Sequence, residues 1–81
     1  MIIKYFAWLK NITNIEEEVI SDSSIKDINA LKTYLLIKYP KMKKHLDGSN
    51  LRVAINLSYT FENTAIKDDD EIAFFPPVSG G

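Results

Sequence analysis

The feature that most limits the possible folds is a single amphipathic helix with strand-like segments on both sides. The apolar positions that recur at steps of three and four residues are Ile28, Leu31, Leu35 and Tyr39, flanked by Ile25 and Leu36. This spacing predicts one helix of about four turns with one apolar stripe. Ser24, with Asp27 three residues later, is expected to cap its first turn, and Pro40 ends it. Ile37 falls on the opposite side and is expected to be exposed.

Short β-rich segments precede and follow the helix. The predicted strands cover residues 2–9, a stretch within 15–20 that pairs back on the first strand, 51–56, a short segment at 59–61, and 71–75. Between them, turns or loops are predicted at KNITN, SDSS, the Asp-Gly pair of LDGSN, Asn56–Ser58 and the acidic run before Glu71.

One helix covers only one face of a sheet, so the strands are expected to wrap around it. The first and last strands form the natural central pair, and the crossover rule makes them parallel. The predicted fold is therefore α+β, a β-grasp or ubiquitin-like domain over residues 1–75, followed by an extended tail at 76–81.

Length and composition exclude several classes of protein. The 81 residues suit one domain, and 10 basic against 11 acidic residues argue against a nucleic-acid surface. Without cysteine there is no disulfide framework or thiolate metal site, which fits a reducing, cytoplasmic location. No apolar run approaches the roughly 20 residues that a membrane-spanning helix needs.

Strand alternation predicts an aromatic surface on the face away from the helix. If Ile3 and Tyr5 of the first strand face the helix, Phe6 faces away; the same alternation turns Phe75 away from it. Tyr59 joins them from just beyond the hairpin. An exposed patch of this kind is typical of a protein–protein interface; the alternative is that some of these rings fold over an edge of the sheet and are buried.

The chain closes with the sequence FFPPVSGG. Pro76 and Pro77 lack N–H groups, so the last strand cannot extend past Phe75, and they favour an extended exit. Six residues from Pro76 span roughly 20 Å. Gly80 and Gly81 add almost no bulk, so the tail can thread a narrow channel, where the carboxylate of Gly81 can reach the α-phosphate of a nucleotide without a clash.

These segments resemble the small subunit of molybdopterin synthase, the MoaD family, over essentially the full length. The resemblance rests on DDDEIAFFPPVSGG, with VAIN before it and YFA near the start. It implies that Gly81, with Gly80 as its slender neighbour, is adenylated by an ATP-dependent, ubiquitin-E1-like enzyme (MoeB type). A sulfurtransferase then converts it to a thiocarboxylate. The chain is expected to bind no cofactor and no metal of its own, because the ATP is used by the activating enzyme.

The resemblance also implies partners. The tail inserts into the larger synthase subunit (MoaE type), usually in a heterotetramer of two small and two large subunits, and delivers sulfur to cyclic pyranopterin monophosphate to build a dithiolene. The residues expected to contact partners are Phe6, Tyr59, Phe75, Pro76, Pro77, Val78 and Ser79. Asp69 departs from the family, which usually has glycine in that turn, but aspartate tolerates a left-handed backbone better than most residues.

Three other functions remain open. They are a sulfur carrier for thiamine synthesis with the same fold, a covalent modifier joined to lysines through Gly81, and a noncovalent interaction module with an inert terminus.

An enzyme in its own right is not expected, because the sequence has no cysteine and no second histidine that could form a triad or a metal site with His45. The basic run from Lys38 to His45 fits a solvated helix end or a docking site for an acidic partner. The carboxylates of residues 68–71 lack the spacing and glycine of a calcium loop.

Overall fold

A computed structural model describes residues 1–43, 46, 51–60 and 62–76. The elements in chain order are β1 (Ile2–Tyr5), α1 (Leu9–Thr13), β2 (Glu17–Val19), α2 (Ile28–Lys38), a 3-10 turn (Pro40–Met42), β3 (Arg52–Ile55), β4 (Ser58–Thr60) and β5 (Glu71–Phe75). Within these ranges the strands form one mixed sheet in the order β2-β1-β5-β3-β4.

The sheet has the predicted β-grasp topology. Strands β1 and β5 are parallel neighbours, with Ile3 opposite Ile72 and Tyr5 opposite Phe74. Strand β2 pairs antiparallel with β1, while β3 pairs antiparallel with both β5 and β4. The prediction of a parallel central pair is confirmed, as is the last strand at residues 71–75.

The first turn of α2 is held by three acceptors from outside the helix. The carboxylate of Asp27 accepts a hydrogen bond from the Ala30 amide at 2.8 Å. The Asn63 side chain accepts from the Asn29 amide at 2.9 Å, and the Thr64 carbonyl accepts from the Ile28 amide at 3.0 Å. These bonds satisfy N–H groups that have no partner within a helix.

Two details of the helix prediction were wrong. Asp27 is the N-cap, whereas Ser24 belongs to a preceding turn in which its amide donates to the Asp22 carboxylate at 2.9 Å. The helix has 11 residues, which is about three turns rather than four. It ends before Pro40 as predicted, with the Tyr39 amide still bonded to the Leu35 carbonyl.

The core lies between α2 and one face of the sheet. The helix contributes Ile28, Leu31 and Leu35, all buried, and Ile37 on its other side is 77% exposed. The sheet side chains that meet the helix face are Ile3, Tyr5, Val53, Ile72 and Phe74, all buried. The predicted inward alternation of the two central strands is therefore confirmed.

The segment after β1 differs from its prediction. Strand β1 ends at Tyr5 rather than Leu9, and KNITN, predicted as a turn, is largely the short helix α1. The change of direction occurs at Ala7, whose φ of 54° lies in the left-handed region. Leu9 is thereby turned back under the sheet, where its side chain is fully buried. Burial of this leucine outweighs the strand preference of the segment.

Two turns connect the strands of the C-terminal half. The reversal between β3 and β4 is formed by Asn56 and Leu57, both with positive φ. The turn before β5 is closed by the Asp70 carboxylate, which accepts from the Lys67 amide at 2.8 Å. Asp69 is not among the residues with positive φ, so this turn forms without a left-handed residue where the MoaD family usually has glycine.

Several predictions fall on residues outside the described ranges. They concern the turn at Asp47 and Gly48, the surface position of His45, the end of the short strand at Phe61, and tail residues 77–81. Within the described ranges, no helix has the length and apolar character needed to cross a membrane.

Candidate docking face for a protein partner

The open face of the sheet carries a cluster of three rings, Phe6, Tyr59 and Phe75, which we call the aromatic patch. The rings of Phe6 and Phe75 stack with centroids 4.5 Å apart and planes 13° apart. Tyr59 packs against the same Phe75 ring at 5.8 Å, tilted by 59°. The structure therefore brings together the three rings that strand alternation predicted on this face.

Strand register explains how these distant residues meet. The Phe6 amide donates to the Phe74 carbonyl at 3.1 Å, so the parallel ladder of β1 and β5 continues one residue beyond β1. Phe6 thereby lies beside Phe75. On the other side, Ala54 of β3 is opposite both Tyr59 of β4 and Ala73 of β5. The patch thus spans four strands, and its members come from both halves of the chain.

Small side chains leave a groove beside the rings. Ala54 and Ala73 are adjacent in register and form its floor, because neither carries an atom beyond Cβ. The groove has a volume of about 230 Å³. Its other lining residues are Lys4, Phe6, Leu57, Tyr59, Glu71 and Phe75. It is a concave, mostly apolar surface with one charged end.

The charged end of the groove is an ion pair. The Lys4 ammonium lies 2.6 Å from a carboxylate oxygen of Glu71, and both side chains are about one-third exposed. The hydrogen bond to Glu71, followed by its charge, raises the pKa of Lys4. The pair fixes two opposite charges at the edge of an apolar surface, which gives a partner polar groups with which to align.

Exposure distinguishes this face from the helix side of the sheet. Phe6 is 41% exposed and Tyr59 is 59% exposed, whereas Phe74, the neighbour of Phe75 in β5, is fully buried. Phe75 itself is half-buried between Phe6 and Tyr59. The apolar surface that these rings still expose to water is stabilised when a partner covers it. The arrangement is suited to binding another protein, and the residues that the structure describes include no cluster of side chains able to hold a metal ion.

The chain leaves the sheet at this patch. Strand β5 ends at Phe75, as the following prolines predict, because proline has no N–H to continue the ladder. Pro76, which we assigned to the tail, is buried in the structure. The remaining predicted site residues, Pro77, Val78, Ser79, Gly80 and Gly81, lie outside the described residues.

A second polar cluster lies on the opposite, helix side of the sheet, and sequence reasoning missed it. One Glu18 oxygen accepts from the hydroxyls of Tyr5 at 2.7 Å and Tyr39 at 2.6 Å, and the other accepts from the Lys38 ammonium. Its members are separated by up to 34 positions along the chain, which hides them from a search for local motifs. The cluster joins β1, β2 and the end of α2.

The charges of this cluster are mutually stabilising. Burial alone raises the pKa of Glu18, but the hydrogen bonds from Lys38, Tyr39 and Tyr5 outweigh burial and lower that pKa overall. Burial and the bond to Glu18 raise the pKa of Tyr39 to about 12, and the same causes raise the pKa of Tyr5. Because Glu18 accepts from both tyrosine hydroxyls and from Lys38, the cluster ties the end of α2 to β1 and β2.

Comparison with known proteins agrees with the fold. A family model described as the ThiS family matches residues 3–81. The chain belongs to the ThiS family. It is 33% identical over 79 residues to the molybdopterin synthase sulfur carrier subunit of Haemophilus influenzae, covering 98% of this chain and 96% of that protein. It is 28% identical to the subunit of that name from Escherichia coli, with the same coverage.

Solved structures of this ThiS-family fold superpose closely on the chain. The solution structure of small archaeal modifier protein 1 from Methanosarcina acetivorans has a TM-score of 0.82 at 26% identity and covers 99% of this chain and 94% of that one. The resemblance to molybdopterin synthase small subunits stated from the sequence is therefore confirmed at the level of family and fold.

Proposed function

We propose that this ThiS-family chain is the sulfur carrier subunit of a molybdopterin synthase. In this role the folded domain carries the sulfur on its C-terminus and presents it to a partner, and it performs no catalysis alone. The aromatic patch binds the partner, and the tail from Pro77 to Gly81 reaches the partner's active site. The site of action is the cytoplasm, consistent with a chain that has no cysteine.

The activation step takes place at Gly81. In a ubiquitin-E1-like activating enzyme, a carboxylate oxygen of Gly81 attacks the α-phosphorus of ATP and pyrophosphate leaves, which forms an acyl adenylate. A hydrosulfide equivalent supplied by a sulfurtransferase then attacks the carbonyl carbon. A C–S bond forms, the C–O bond to AMP breaks, and the product is a thiocarboxylate. Gly80 and Gly81 suit this step because neither has a side chain to obstruct the nucleotide.

The delivery step takes place in the larger synthase subunit. Its active site receives the tail, and the thiocarboxylate sulfur bonds to a carbon of cyclic pyranopterin monophosphate and displaces an oxygen substituent there. Water then cleaves the bond between this sulfur and the Gly81 carbonyl carbon, which leaves the sulfur on the substrate and returns the terminus to a carboxylate. Two small and two large subunits form the assembly. ATP serves only the activating enzyme, so this chain needs no cofactor site.

The observation that carries the proposal is the family match through residue 81, together with the names of the curated relatives. The match covers residues 3–81 and thus includes the diglycine. Both relatives described above are named as sulfur carrier subunits of molybdopterin synthase. The exposed aromatic patch at the end of β5 supports the docking part of the proposal, because β5 leads directly into the tail.

The decisive experiment is intact mass spectrometry of the chain incubated with the activating enzyme, ATP and the sulfurtransferase. The expected product is heavier by the difference between one sulfur and one oxygen atom, with fragmentation placing the change at Gly81. Omission of ATP is the control and should leave the mass unchanged. An unmodified terminus in the complete reaction would contradict the proposal.

A covalent modifier is the second candidate, because the structural neighbour from Methanosarcina acetivorans is named a modifier protein. Higher-mass conjugates on denaturing gels that disappear when Gly81 is deleted would support it. A carrier for thiamine synthesis would show the same mass change, but it would supply sulfur to thiazole formation rather than to cyclic pyranopterin monophosphate.

A further inference from the structure

At the tip of the β3–β4 hairpin, an apolar residue has an unfavourable backbone conformation. Leu57 has φ of 72° and is 91% exposed. A two-residue hairpin turn with positive φ at both positions favours Asn followed by Gly, and Asn56 meets the first preference. Leu57 occupies the second position, where glycine is preferred, and its Cβ is crowded in the left-handed region.

Hydrogen bonds hold Asn56, the other residue of this turn, in place. The Asn56 side chain donates to the Asp70 carboxylate at 2.9 Å and accepts from the Glu71 amide at 2.9 Å. Its own amide donates to the Glu71 carbonyl at 2.8 Å. Three hydrogen bonds thus tie the residue before Leu57 to the start of β5. The backbone of the turn that carries Leu57 is thereby restrained beside β5.

Leu57 also lines the groove beside the aromatic patch, together with Phe6, Tyr59 and Phe75. The strained leucine therefore extends the apolar surface that we propose for docking. The left-handed backbone of Leu57 destabilises the free domain, and strain of this kind is found where binding compensates for it.

We propose that Leu57 is a docking anchor that inserts into an apolar socket on the large subunit of molybdopterin synthase, next to the surface that covers the aromatic patch. The inference rests on the proposed function, which supplies the partner. Because hydrogen bonds of Asn56 already restrain the turn, little backbone freedom is lost when the leucine is buried, and this favours affinity for the large subunit.

The test compares Leu57→Gly and Leu57→Asn with the parent chain. Glycine removes the strain and the side chain, so the melting temperature should rise by about 4 °C or more while the dissociation constant for the large subunit increases at least about tenfold. Asparagine, which tolerates positive φ, should give the same loss of affinity. Binding is measured by titration calorimetry with the purified cognate large subunit, and Ile37→Ala is the matched control for loss of an exposed apolar side chain.

Opposite changes in stability and affinity separate an anchor from a merely structural residue. Affinity of both Leu57 variants within about twofold of the parent, while Phe75→Ala still weakens the complex, would overturn this inference and leave the proposed function standing. Absence of any complex between the parent chain and the large subunit would overturn both. A fall in melting temperature for Leu57→Gly would show that the leucine stabilises the domain and would also overturn the inference.

Discussion

The Phe6 ring lies flat against the Phe75 ring, with their centroids 4.5 Å apart, although the two residues belong to opposite ends of the chain. The contact exists because β1 and β5 are parallel neighbours whose register brings both rings to the open face. It joins the first strand to the strand that leads into the tail. This places the proposed docking surface next to the point where the C-terminal tail begins.

Replacement of Phe75 by alanine should therefore weaken partner binding far more than it destabilises the domain. The ring is the centre of the aromatic patch, and loss of a central interface aromatic typically costs about 2 kcal/mol or more of binding free energy. Loss of its two ring contacts should cost about 1 kcal/mol of folding stability. Calorimetry with the large subunit and thermal melts measure the two effects. Collapse of the fold would instead identify Phe75 as a core residue.

Changes at Gly81 should abolish sulfur transfer without affecting the fold. In the proposed adenylation, deletion of Gly81 leaves the terminal carboxylate on Gly80, one residue short of the α-phosphate, and one appended residue moves the carboxylate past that position and adds bulk. Both variants should melt at the temperature of the parent chain. Formation of the dithiolene product is measured in a reconstituted synthase reaction, with the parent chain as the control. Full activity of either Gly81 variant would refute the assignment.

Helix α2 should depend on Asp27 and not on Ser24. Asp27→Ala removes the acceptor of the Ala30 amide, and loss of an N-cap costs about 1 kcal/mol. For a domain of this size the melting temperature should fall by about 4–8 °C. Asp27→Asn retains the cap and should be close to the parent. Ser24→Ala is the matched control, and a larger effect there than at Asp27 would contradict the assignment of the cap.

The Glu18 cluster should make stability sensitive to acid. Because the folded pKa of Glu18 is lowered, its contribution is present above the ordinary carboxyl pKa of 4.5 and is lost as the pH falls through the folded value. Glu18→Gln should therefore be less stable than the parent at neutral pH, with a difference that shrinks in acid. The stability of Glu18→Gln should still fall in acid to some extent, because hydrogen bonds from Asn56 and Lys67 also lower the pKa of Asp70.

Thermal melts at neutral pH and at steps below 4.5 measure the Glu18 effect. Glu17→Gln is the control on the same strand, because the Glu17 side chain is exposed and does not bond to the tyrosine hydroxyls. A difference between Glu18→Gln and the parent that stays constant with pH would show that the carboxylate charge is not what stabilises the cluster.

The sequence by itself was sufficient to predict the topology and to predict which side chains of the central strands face the helix. The 3.6-residue spacing of α2 and the two-residue alternation of β1 and β5 are local properties, and each states which side chains can share a face. A single helix then leaves one face of the sheet uncovered, so the exposure of Phe6 and Tyr59 follows from the pattern. The prolines after Phe75 likewise fix the end of β5 without any tertiary contact.

Tertiary structure determined the conformation of those segments that depart from the local preferences of their sequence. Leu9 leaves the predicted strand for a helix because a left-handed Ala7 lets its side chain reach the core, and Leu57 adopts positive φ because Asn56 is tied to β5. The Glu18 cluster depends on strands and a helix end that meet only after folding. In each case the free energy comes from groups distant in sequence, whose proximity no local pattern encodes.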